Sequence, residues 1–150
     1  MDKGIRGSVL TDVNIKLELF DEKGVLKEVR EVHNATTTLG KEVVADQLLA
    51  APTVAKPGWM ELGTAAPTAS LLGSYISGSR TAVASITRVG NVVTYTCIFV
   101  AGVGTGKITE AGLFNVVTQN SPVMVLSASF AQISKAAVDT LTITWTFTVN

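Results

Sequence analysis

Ten residues near the end of the chain, Thr140 to Val149, alternate without a break. Leu141, Ile143, Trp145, Phe147 and Val149 fall on one side of an extended backbone, and Thr140, Thr142, Thr144, Thr146 and Thr148 on the other. A period of two marks a strand with one buried face. Threonine is β-branched, favours extended backbone and pairs across strands. The buried side of such a strand needs a second layer to cover it, which directs the whole chain toward packed sheets.

The rest of the sequence agrees. Val13 to Phe20 alternates in the same way, Asp21-Glu22-Lys23-Gly24 reads as a turn, and Val25 to Val32 returns as a second strand. Together they predict a charged N-terminal hairpin whose outer face carries Lys16, Glu18, Lys27 and Arg30. Residues 38–50 predict the one helix, with Thr38 as N-cap, Val44 and Leu48 four apart, and Pro52 stopping any continuation. Trp59 to Leu62 is a short strand, and an Ala/Pro/Ser/Gly loop follows from 65 to 79, to be either mobile or held by a neighbour. Thr81 to Val89 and Val92 to Val100 flank Gly90-Asn91, a two-residue hairpin signal, and Val93, Tyr95, Cys97 and Phe99 share one face. Pro122 to Phe130 adds a strand. The expected fold is mainly β, an antiparallel, jelly-roll-like β-sandwich with one short helix and an N-terminal β-hairpin. Residues 1–36 would be an arm and hairpin packed with the same domain, and 37–150 the sandwich.

Charge is spread unevenly. The 12 acids and 12 bases cancel overall, yet residues 1–46 hold nine acids and seven bases while residues 47–150 hold three acids and five bases. A chain of this mass exposes roughly 7,000 Å², and monomers rarely expose large apolar patches. Eight charges over 104 residues therefore imply that other copies or a partner cover much of that surface, unless Thr and Ser coat it instead. Balanced charge argues against nucleic acid as a partner. No apolar run is long enough for a membrane span, and Met1 to Gly7 lacks a secretory signal's apolar core.

Catalytic and metal chemistry find little support. One cysteine, Cys97, and one histidine, His33, leave no zinc cluster and no internal disulfide. Gly102 to Lys107 invites a phosphate-loop reading, but Ala101 stands where the first glycine belongs and Ile108 where the hydroxyl belongs. His33 beside Glu31 reads as a turn contact, because no nucleophile and orienting group accompany it. Cys97, in mid-strand, reads as a packed residue. Asn34-Ala35-Thr36 matches a glycosylation acceptor but reads as a turn. Glu110 is the informative acid: in so apolar a stretch its carboxylate needs Arg80, Arg88 or backbone N–H groups as partners, either across subunits or within the chain. No catalytic, cofactor or metal residue is assigned.

Several stretches resemble the small virion structural proteins of tailed bacteriophages. They are Val32-His33-Asn34 with Gly40, Ala45-Asp46-Gln47-Leu48, Leu62-Gly63-Thr64-Ala65-Ala66-Pro67-Thr68, Thr105-Gly106-Lys107-Ile108-Thr109-Glu110-Ala111-Gly112-Leu113-Phe114-Asn115, and Asp139 to Trp145 after Ser129-Phe130, Ile133 and Lys135. The likeness spans roughly residues 30 to 149. Gly78-Ser79-Arg80 departs from the pattern in lacking its usual nearby acid. The resemblance implies a non-enzymatic protein without cofactors that assembles as a homo-oligomer, a trimer above all, on the major capsid protein or another virion protein. Its place would be the virion, formed in the bacterial cytoplasm, as a capsid decoration (cement) or head-fibre protein. A tail fibre, baseplate or collar component is the alternative, and a carbohydrate-binding module a third. Trp59, Arg80, Glu110, Leu113, Phe114 and the loop 65–79 are the expected interface.

Overall fold

The computed structural model describes residues 11–34, 36–68, 71–119 and 124–150. The N-terminal arm, Ala35 of the acceptor triplet and Pro122 as a strand start lie outside them. The strands are β1 (Thr11–Phe20), β2 (Leu26–Asn34), β3 (Trp59–Gly63), β4 (Thr81–Ala82), β5 (Ser85–Val89), β6 (Val92–Phe99), β7 (Gly106–Phe114), β8 (Met124–Lys135) and β9 (Thr140–Val149), with one helix, α1 (Thr38–Asp46). They make two antiparallel sheets, ordered β2-β1-β9-β6-β5 and β4-β3-β7-β8. The fold is a β-sandwich.

The alternating strand β9 occupies the middle of the larger sheet, between β1 and β6. Its Leu141, Ile143, Trp145 and Phe147 are buried, together with Val13, Ile15, Leu17 and Leu19 of β1 and Cys97 and Phe99 of β6. The opposite side is a polar ladder in which Thr144 lies between Lys16 and Thr96, and Thr146 between Asn14 and Thr94. Met60 and Leu62 of β3, Ile108, Ala111 and Leu113 of β7, and Leu126, Ala128 and Ile133 of β8 close the core from the second sheet.

Four expectations need correction. The stretch 81–89 is two strands in different sheets. The N–H of Val83 donates to Gly58 O (2.9 Å) and that of Ala84 to Thr96 O (2.7 Å), so successive peptide groups serve the two layers and the chain crosses between them there. The helix is shorter than 38–50 and starts from a different cap. Thr37 is the N-cap, accepting from the Gly40 N–H (2.9 Å), while its hydroxyl reaches Val125 O (2.7 Å) and Met124 O (3.0 Å).

At the other end of the helix, the Asp46 carboxylate takes the N–H groups of Thr53 and Val54 and the Thr53 hydroxyl. The chain turns, and Leu48 is left exposed instead of extending a buried stripe. In the hairpin, Arg30 lies opposite Leu17 and Glu28 opposite Leu19, on the core-facing side of the sheet at its edge, where Arg30 pairs with Glu28 (2.6 Å). Lys27 leaves the outer face to meet Asp139. Finally, the last hairpin strand continues to Lys135 rather than ending at Phe130.

Thr37→Ala is expected to lower stability by about 1–2 kcal/mol, since it removes both a cap and the tether to β8. Denaturant unfolding measures it, and an unchanged midpoint would contradict the cap's role.

Candidate functional site

Every second residue of β3 and β7 faces away from the main core. There the sequence places Trp59, Glu61 and Gly63 on β3 and Glu110, Gly112 and Phe114 on β7, with Trp59 opposite Phe114, Glu61 opposite Gly112, and Gly63 opposite Glu110. A sheet face left open to water could carry two acids without difficulty. This one is covered: the described residues of the following segment, 64–68 and 71–80, fold back over it, and Leu72 packs with Phe114, Met124 and Trp59 as a second small core. Both acids are consequently inside the protein, Glu61 at 1% exposure and Glu110 at 0%.

Each carboxylate has its own solution to burial. Glu61 meets Arg80 in a two-pronged pair, Nε to Oε2 at 3.2 Å and Nη2 to Oε1 at 3.3 Å. The guanidinium also donates to Val116 O (2.7 Å) and lies 3.6 Å from the centroid of the Phe114 ring. Gln119 completes the knot: its Nε2 donates to Glu61 Oε2 (2.9 Å) and Ile76 O (3.2 Å), and its Oε1 accepts from the Gly78 N–H (3.1 Å). Glu61 is thus the acid that Arg80 lacks in its own neighbourhood of the sequence. Charge, hydrogen bonds and an aromatic face are all matched, which is what a desolvated ion pair needs to be tolerated.

Among the described residues, no arginine pairs with Glu110. Oε1 accepts from the N–H groups of Ala65 (3.2 Å) and Ser74 (2.9 Å), and Oε2 from that of Gly73 (3.0 Å). Arg80 belongs to Glu61, and Arg88 donates to Gly90 O on the exposed β5–β6 turn. The open choice between an ion pair and backbone partners is therefore settled within the chain for backbone N–H groups. Gly63 makes the contact possible, because a Cβ there would sit 2.2 Å from Glu110 Oε1. At Ala65, Gly73 and Ser74 the small-residue loop is anchored by the protein's own carboxylate rather than by a neighbour.

The expected interface residues are placed accordingly. Glu110, Leu113 and Phe114 are fully buried, Arg80 nearly so, and Trp59 partly buried against Leu72 and Phe114. Their contacts are spent inside one chain, so they offer little surface to a second. Leu113 faces the core between the sheets, and Leu72 of the folded-back segment packs on Trp59 and Phe114. Glu61, Gly63 and Gln119 went unrecognised; the sequence signal that could have found Glu61 was an arginine in a charge-poor stretch needing a counter-ion.

The remaining candidates are dispersed. Cys97 is buried, and loss of solvation pushes its thiol up to about 12. His33 stands exposed on β2, 3.8 Å from Asp12. Gly102 to Lys107 forms a turn leading into strand β7, not into a helix, with Gly102 and Gly104 at positive φ. Among the described residues, no three His, Cys, Asp or Glu side chains are grouped to hold a metal. Asp139 ties the hairpin to the β8–β9 turn, accepting from Lys27 Nζ (2.7 Å) and the Ala136 N–H (2.9 Å). Those two bonds, the lysine's first, hold its carboxyl below its ordinary 3.8.

A group with a lowered pKa in the fold stabilises fully above its ordinary value and loses that contribution as pH falls through the lowered one. The stability gap between wild type and Asp139→Asn should therefore stay constant near neutrality and close as pH drops below 3.8. A gap unchanged down to pH 2 in urea titrations would refute this.

The surface of residues 47–150 has one uniform property. Glu61, Glu110 and Asp139, all the acids of that region, are buried, so its exposed charges are Lys56, Arg88 and Lys107. Between α1 and the end of β5 and β6 lies an apolar cleft of about 580 Å³, lined by Val44, Leu48, Ile86, Tyr95, Phe147 and Val149 among others, with Lys56 and Arg88 as its charged members. Comparison with known protein families, with curated proteins and with solved structures finds no match to this chain.

Proposed function

We propose that this chain is a non-enzymatic virion structural protein that assembles as a homo-oligomer, a trimer by resemblance, on a phage head, and decorates or extends the capsid. The observation that carries the assembly part is the surface of residues 47–150. It displays apolar side chains and three cations while every acid of the region is turned inward. Such a surface gains from being covered, at about 25 cal/mol per Å² of apolar area. The location on a virion rests on the resemblance of residues 30–149. Two interlocked sheets with internally matched charges also suit a component that needs neither metal nor disulfide for rigidity.

Particles lacking this protein are expected to release DNA at lower temperature and under milder osmotic shock than complete ones. Immunogold labelling of intact virions is expected to mark heads. Equal resistance of the two kinds of particle would remove the reinforcing role, and label on tails would move the protein to the tail.

A further inference from the structure

The sheet order places β2 and β5 at opposite edges of the same five-stranded sheet. All five residues of β5 are exposed, and neighbouring peptide groups of an antiparallel strand turn alternately to its two sides. Half of the β5 backbone groups thus face away from β6, and no strand among the described residues receives them. Natural edge strands are usually protected by charge, proline or a bulge. The β2 edge is protected in this way, by Lys27, Glu28, Arg30 and Glu31. The β5 edge has Arg88 alone, beside Ile86, Val89 and the exposed Leu48 across the cleft.

The two edges are complementary in charge. The cleft beside β5 is lined by Lys56 and Arg88 and by no acid. Residues 11–34, the β1–β2 hairpin, hold six acids and four bases. Lys27 is already committed to Asp139, Arg30 to Glu28, and Lys16 to Glu18. The hairpin also exposes its own apolar side chains, Val25, Leu26 and Val29.

We infer that the β5 edge and its cleft receive the β1–β2 hairpin of a second copy of this chain, head to tail. A two-fold contact of β5 on β5 would bring Arg88 and Lys56 of both copies together, and a contact of β2 on β2 would leave the β5 edge and its cleft uncovered. Only the unlike pairing covers both apolar edges and matches charge. A contact of this kind closes into a ring when its rotation allows, and otherwise grows as a filament. The inference rests on the self-association proposed above and specifies the surface that it uses.

Light scattering at micromolar concentration tests it with Val89→Asp on the β5 side and Val29→Asp on the hairpin side. Leu48→Asp and Leu26→Asp form a second pair, and circular dichroism verifies the fold of each. The wild type is expected at a multiple of the 15.7 kDa chain mass, and each variant alone at the mass of one chain. The two variants mixed are expected at twice the chain mass, because one intact cleft then meets one intact hairpin. If either side's variants keep the wild-type mass, or the mixture forms no new species, the head-to-tail surface is wrong while association itself stands. A monomeric wild type would remove the self-association as well.

Discussion

Gly63→Ala is expected to destabilise the protein by about 3–5 kcal/mol, the range found when a buried charged group loses its partner. The added Cβ would fall 2.2 Å from Oε1, 2.6 Å from Cγ and 2.7 Å from Cδ of Glu110. None of these atoms can yield without pulling the carboxylate off the N–H groups of Ala65, Gly73 and Ser74. The loss is one of contact geometry, so Glu110→Ala should remove much of the same energy. The double variant should then be only slightly worse than either single one, the mark of two residues acting through one interaction. Additive losses in a double-mutant cycle would show that Gly63 serves something other than Glu110.

Arg80→Met should cost a similar amount, about 3–5 kcal/mol. It leaves the Glu61 carboxylate buried with Gln119 as its one remaining side-chain donor among the described residues, and removes the guanidinium from Val116 O and the Phe114 ring. The informative companion is Glu61→Leu with Arg80→Met. Replacing both charges with apolar groups of similar size removes the desolvation burden along with the attraction, so the double variant should recover to within about 2 kcal/mol of wild type. Chemical denaturation of the four proteins decides the matter. If the double variant is as unstable as the sum of the two single ones, the pair is not the linked unit described here.

What could be seen beforehand, and what could not, divides along physical lines. Thr140 to Thr148 was legible to the residue, because its inward and outward sets answer to a single neighbour relation that repeats every two positions, while Val149 at the strand's end is exposed. Gly90-Asn91 was equally legible, since a two-residue turn is decided locally, and Gly90 does adopt φ +57°. The sheet crossing at Val83-Ala84 was not, because extended backbone looks the same on either side of it. The same holds for the face bearing Glu61 and Glu110. The alternation of β3 and β7 sets those side chains opposite the core, which in an isolated sheet means water. Whether a face stays wet depends on where a segment many residues away is laid, and composition does not state that. Phe114 is covered for this reason by the chain's own Leu72, while Leu113 faces the core between the sheets.

The hold on that covering segment is exerted through main-chain N–H groups of Ala65, Gly73 and Ser74, not through their side chains. Side-chain identity between the anchors is therefore largely free to drift, provided Leu72 stays apolar over Phe114 and Met124 and Gly73 stays bare, since a Cβ there would collide with Ala66 O. Such a clasp tolerates foreign sequence. Residues 67–71 are a natural place to graft a peptide for display, with the strands beneath retaining their register.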